Sequence, residues 1–93
     1  MLTLTLYSRA DCCLCEEMKV VLAQVRRDIP FTLEEIDIAT DPELESRFGQ
    51  EIPVLFVNSR KAFKYRVTAR ELRRRLARGS AASFFLSIKR RIL

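Results

Sequence analysis

Histidine is absent from all 93 residues. Its absence removes Ser/His/Asp and Cys/His nucleophile pairs, imidazole general bases and histidine-based metal sites. Any chemistry therefore falls to cysteine, carboxylates, lysine, tyrosine or backbone amides. Long apolar runs are lacking too, since none approaches the roughly 20 residues that cross a bilayer. The opening Met1-Leu2-Thr3-Leu4-Thr5-Leu6-Tyr7 has neither the basic start nor the apolar length of a secretion signal. Cysteine is scarce, and its three copies, Cys12, Cys13 and Cys15, crowd into one place. A disulfide framework needs partners spread along the chain, so the cluster reads as redox or metal chemistry in a reducing compartment, and a cytoplasmic location is expected. With 48% hydrophobic and 31% charged residues the chain is expected to fold, as one small domain.

Acid is what the second half lacks. Through Ile52 there are 5 Lys/Arg against 11 Asp/Glu; beyond it there are 12 against 1. The asymmetry reads as two solvated faces of one domain, with an acidic partner, nucleic acid or an anionic surface as the alternative.

Leu2, Leu4 and Leu6 alternate with Thr3, Thr5 and Tyr7, the period of a strand. Leu14, Met18, Val21, Leu22 and Val25 then recur at helical spacing, which predicts a helix from the cysteine cluster to before Pro30. Phe31 to Ile38 reads as a second strand. Thr40-Asp41-Pro42-Glu43 is a helix start, and Gly49 marks the end of that helix. Ile52-Pro53-Val54-Leu55-Phe56-Val57 is an apolar strand, Asn58-Ser59-Arg60 a turn, and Phe63, Tyr65 and Val67 alternate in a returning strand. Thr68 with Glu71 forms a capping box ahead of a last helix closed by Gly79-Ser80. The order βαβαββα implies an α/β fold: a four-stranded mixed sheet with parallel crossovers first, an antiparallel hairpin last, and helices on both faces. Residues 1–78 form the domain and 79–93 a basic amphipathic tail or helix.

Cys12 and Cys15 make one Cys-x-x-Cys where a strand gives way to a helix. A helix N-terminus offers unpaired N–H groups and about half a positive charge, which favours thiolate over thiol. Cys12 caps that terminus, and Cys15, one turn inside, can reach its sulfur, so a mixed disulfide at Cys12 could be resolved by Cys15. Arg9 can add positive potential or hold a substrate carboxylate.

The stretch Leu4 to Cys15, then Glu35-Ile36-Asp37-Ile38, Ile52-Pro53-Val54-Leu55 and Arg66-Val67-Thr68, in that order, resembles the glutaredoxin-like proteins of the thioredoxin fold, in particular their small divergent branch. The resemblance implies a thiol-disulfide oxidoreductase acting on disulfides of proteins or small molecules, with no bound cofactor and no metal. It implies Cys12 as nucleophile, Cys15 as resolving thiol, Pro53 as a cis-proline, and the backbone of Ile52 as the substrate's pairing partner. Charge, apart from the resemblance, makes Arg9 and Arg66 the expected electrostatic contacts for substrate carboxylates. Glutathione or a thioredoxin-type reductant would be the co-substrate. Glutathione-using relatives carry Gly-Gly after the last strand and an acidic pair at the next helix start. This chain has Tyr65-Arg66-Val67-Thr68 there, so weak glutathione activity is expected.

Two other classes remain beside this one. Three thiolates in four residues could bind a soft metal ion, and the basic second half could serve a non-catalytic interaction domain. In the tail, Phe84, Phe85, Ile88 and Ile92 can share a helical face; a terminal helix covering apolar surface is favoured over contact with a membrane or nucleic acid. A monomer is expected.

Overall fold

A computed structural model describes residues 2–84, with side-chain burial through residue 77. Strand β1 (Thr3–Ser8) leads into helix α1 (Cys13–Arg26), then β2 (Thr32–Asp37), a single 3-10 turn (Ile38–Thr40), α2 (Pro42–Phe48), β3 (Val54–Val57), β4 (Arg60–Lys64) and α3 (Ala69–Phe84). The sheet order is β2-β1-β3-β4. β1 pairs parallel with β2 and antiparallel with β3, and β3 pairs antiparallel with β4. This is the mixed α/β sheet that the sequence order implies.

The alternation of β1 divides the interior. Leu2, Leu4 and Leu6 face one side, where they meet Met18, Leu22 and Val25 of α1, Leu72 and Leu76 of α3, and Leu55 and Val57 of β3. On the other side Val54 packs with Ile38 and Phe48, flanked by Tyr7, Ile52 and Phe56. Tyr7, Phe48 and Phe56 stack there with ring centroids 4.6 to 6.0 Å apart. α1 and α3 thus cover one face and α2 the other. The buried face of α1 is Cys15, Met18, Leu22 and Val25, so the second cysteine of the Cys-x-x-Cys lies on the core stripe. Leu14 and Val21, expected on that stripe, are only half-buried at its margin.

Several boundaries move from where periodicity put them. Within the expected start signal the cap of α2 is Asp41, which accepts the amide N–H of Glu43 at 2.9 Å ahead of Pro42 in the first turn. Thr40 belongs to the 3-10 turn, and its hydroxyl donates to the Asp37 carbonyl. Arg60 leaves the turn and pairs with Val57, because Asn58 and Ser59 (φ 49° and 72°) suffice for a two-residue primed turn that matches strand twist. β4 stops at Lys64 because Tyr65 turns left-handed (φ 70°), so Tyr65 and Val67 lie outside the strand. α3 runs across Gly79 and Ser80 to Phe84. A helical glycine costs only about 1 kcal/mol, and with no proline behind it and Ala81-Ala82 following, the helix continues. The Thr68–Glu71 capping box forms as expected: the Glu71 N–H donates to Thr68 Oγ1 at 3.0 Å, and the Thr68 N–H to Glu71 Oε1 at 2.9 Å. Of the expected tail, residues 79–93, the part from 85 to 93 lies outside the described residues.

Two measurements test this local account. Ser59→Gly removes the steric cost of a left-handed serine and partly offsets it with a more flexible unfolded chain. The expected gain is roughly 0.5–1 kcal/mol, a rise in Tm of roughly 2–8 °C. The second concerns Lys61, whose ammonium donates to Glu51 ahead of Pro53 and holds that carboxyl below its ordinary value. A depressed folded pKa contributes stability above the unfolded value and loses it as pH falls through the folded one. Lys61→Met should therefore be less stable than wild type in urea at about pH 7, with the gap closing toward about pH 3; a gap independent of pH would contradict the pairing.

Candidate functional site

Three chain segments emerge at one end of the sheet. β1 ends at Ser8 and runs on to the cysteines. Tyr7 lies opposite Val54, so Ile52-Pro53 lies at that same end, and Lys64 lies opposite Val54 from the other side, which adds Tyr65 and Arg66. The Tyr65 N–H donates to the Pro53 carbonyl at 2.9 Å and fastens the last two segments together.

Between β1 and α1 the chain turns through Asp11 in left-handed conformation (φ 62°), which aspartate tolerates better than most residues. Cys12 follows in extended conformation as the N-cap of α1, and its Sγ accepts the Cys15 N–H at 3.1 Å. The Cα atoms of Cys12 and Cys15 are 5.2 Å apart and their sulfurs lie at disulfide distance. Burial distinguishes the two: Cys15 is fully enclosed, whereas Cys12 is half-buried and open to a reacting partner. Cys13 is exposed and free. Among the described residues no three His, Cys, Asp or Glu side chains are placed to hold a metal ion together.

The Ile52–Pro53 bond is cis, Pro53 is buried, and Ile52 is half-buried against the second core cluster. Arg66 is exposed, its guanidinium 3.4 Å from Glu17 on the second turn of α1. Arg9 is committed elsewhere in the molecule. Its Nη2 reaches Glu45 Oε1 at 3.1 Å and the Gly49 carbonyl at 3.3 Å, while its Nε is buried without a partner. It ties the cysteine loop to the end of α2, three residues ahead of Ile52. The site thus gathers Cys12, Cys15, Ile52, Pro53 and Arg66 at one end, and Arg9 supports them from below.

Sequence reasoning missed the neighbours that hold these residues. Glu45 and Gly49 anchor Arg9, Glu17 pairs Arg66, and the Tyr65 hydroxyl donates to the Gln50 carbonyl at 3.2 Å. Only Tyr65 left a signal, at the position where glutathione-using relatives carry glycine: its left-handed φ is the conformation glycine adopts without cost. A cleft of about 200 Å³ opens beside the site, with Leu14, Met18 and Val21 on one wall and Tyr65, Arg66 and Val67 on the other. Farther along α1, Lys19 bridges Glu35 at 2.7 Å and Glu16 at 3.2 Å, and the hydrogen bond to Glu35 raises its pKa above the usual lysine value.

A family model for the glutaredoxin-like domain (DUF836) matches residues 3–77. An uncharacterized protein of Mycobacterium tuberculosis is 28% identical over 83 residues, covering 84% of this chain and 86% of its own. Among solved structures, a structural-genomics target protein from X. campestris shares 35% identity at a TM-score of 0.71, covering 81% of this chain and 96% of that one. A protein from Nitrosomonas europaea shares 29% at 0.67, covering 76% and 86%. Chloroplastic thioredoxin z matches at a TM-score of 0.72 with 14% identity, covering 87% and 80%, a likeness of fold alone. Since the family match runs from β1 into α3 and takes in the cysteine pair, this chain belongs to the glutaredoxin-like domain family, built on the thioredoxin fold.

Proposed function

We propose that this protein is a dithiol-disulfide oxidoreductase in which Cys12 attacks and Cys15 resolves. The observation that carries the reading is the unequal placement of the pair: an accessible Cys12 Sγ at a helix N-cap, bonded by an amide N–H, with an enclosed Cys15 within reach. In the reduced protein, that N–H and the helix terminus stabilise a Cys12 thiolate. The thiolate attacks one sulfur of a substrate R–S–S–R′, forming Cys12–S–S–R and releasing R′S⁻, which takes a proton. The Cys15 thiol gives up its proton and attacks Cys12 Sγ, releasing RS⁻, which is protonated in turn. Two electrons leave the dithiol, and the Cys12–Cys15 disulfide is the product. An external thiol or dithiol restores the reduced state.

Burial of Cys15 supports the order of events, because a sulfur enclosed among core side chains meets Cys12 far more readily than it meets a substrate. Pro53 and Ile52 stand where a substrate backbone would lie beside the mixed disulfide. For the reductant, the reading favours a dithiol protein over glutathione. The Thr68 N–H at the start of α3 is already taken by Glu71, which withdraws a helix-terminus donor from the tripeptide's carboxylate.

Alkylation near neutral pH should label Cys12 of the reduced protein first. Cys12→Ser should abolish reduction of a model disulfide. Cys15→Ser should retain attack but accumulate a mixed disulfide visible by mass, and Cys13→Ser should change rates by less than about twofold. An inactive Cys13→Ser, or a bridge mapped to Cys12–Cys13, would overturn the assignment. In a glutathione-coupled assay turnover should be weak, and a thioredoxin-type reductant should restore the dithiol faster; robust glutathione turnover abolished by Arg66→Glu would reverse the choice of reductant.

A further inference from the structure

Sheet order separates the charges that the sequence separates. Acidic β2, with Glu34, Glu35 and Asp37, forms one edge, and basic β4, with Arg60, Lys61 and Lys64, forms the opposite edge. α3 carries Arg70, Arg73, Arg74 and Arg75, and of these Arg74 and Arg75 share a cleft with β4. Of these seven cations only Lys61 and Arg73 have carboxylate partners among the described residues, Glu51 and Asp28. The one acid beyond Ile52, Glu71, has its carboxylate committed to the Thr68 cap. Between β4 and α3 runs a cleft of about 370 Å³ lined by Lys61, Ala62, Phe63, Glu71, Arg74 and Arg75, three cations against that one committed carboxylate.

Charged side chains on an edge strand are a common defence against sheet-to-sheet aggregation, and Arg60, Lys61 and Lys64 would suffice for it. Arg70, Arg74 and Arg75 lie on a helix and defend no edge. We propose that the β4–α3 cleft docks an extended acidic segment of the protein whose disulfide is exchanged at Cys12, an inference that rests on the redox reading above. Charge complementarity selects carboxylates, which guanidinium groups bind in a two-pronged fork. The architecture selects a peptide: β4 has β3 on one side only, and its other side offers backbone groups to an added strand, which nucleic acid cannot use. Exposed rings for stacking bases are also few here, Tyr65 being the one large aromatic exposed among the described residues. The direction fits as well. Lys64 lies opposite Val54, the residue after Pro53, so a segment laid along β4 is led to the sheet end that holds the disulfide.

The test uses the reduced full-length chain and two synthetic peptides, each with one cysteine held as a mixed disulfide with 2-nitro-5-thiobenzoate. One carries a run of glutamates before the cysteine and the other glutamines. At low ionic strength the glutamate peptide should react about tenfold faster, with the advantage lost at high salt. Arg74→Glu with Arg75→Glu should erase the advantage while the glutamine peptide reacts at the wild-type rate, which also reports an intact fold. Arg27→Glu with Arg47→Glu changes net charge equally but lies elsewhere, and should retain most of the advantage. Equal rates for the two peptides in wild type, or equal losses in the two double variants, would overturn the proposal. Binding of a labelled glutamate peptide with serine in place of cysteine is measured separately, so failure of the redox chemistry is distinguishable from failure of docking. If that peptide does not bind, or single-stranded RNA binds more tightly through the same two arginines, the docking proposal is wrong.

Discussion

β1 is buried on one face, half-covered on the other and paired on both edges, and the position of the Cys12 sulfur depends on that. Its leucines press on α1 and α3 while Tyr7 presses on Phe48 and Phe56, so the strand cannot slip by one residue without exchanging its two faces. Ser8, its last residue, is therefore held at a definite height, and the short link through Asp11 delivers Cys12 to the N-terminus of α1. The helix is held in turn by Met18, Leu22 and Val25 in the same core. Cys15 belongs to that buried stripe, so packing the helix is what places the second sulfur beside the first.

Electrostatics near the site then divides into paired and unpaired charge. Glu45 is matched by Arg9, Glu17 by Arg66 and Glu51 by Lys61, each pair joining two of the segments that converge there. Such solvent-exposed pairs contribute little to stability singly. Their effect is to hold loops in register around the cysteines. Among the described residues, Arg60 and Lys64 on β4 and Arg70, Arg74 and Arg75 on α3 have no carboxylate partner.

The departure from glutathione-using relatives has a structural counterpart. Tyr65 adopts the backbone conformation that glycine takes freely, and its hydroxyl is spent on the Gln50 carbonyl. A side chain thus stands at a backbone position that only glycine takes without steric cost. Glu71 closes the start of α3 from within.

The sequence by itself determined the order of elements, the two-layered core and the cysteine pair at a helix start, because alternation, helical spacing and capping residues are local patterns that read the same before and after folding. It also determined the α3 cap, since Thr68 and Glu71 are three residues apart. It could not determine where α3 ends, because a glycine's cost is small beside what packing and neighbouring alanines supply. Only the tertiary structure decided the partners of Arg9 and Arg66, 40 and 49 residues distant in sequence. It alone separated the accessible sulfur from the enclosed one, and it alone placed the acids on one sheet edge and the cations on the other. Those outcomes depend on strand order and register, which bring together side chains that no local pattern relates.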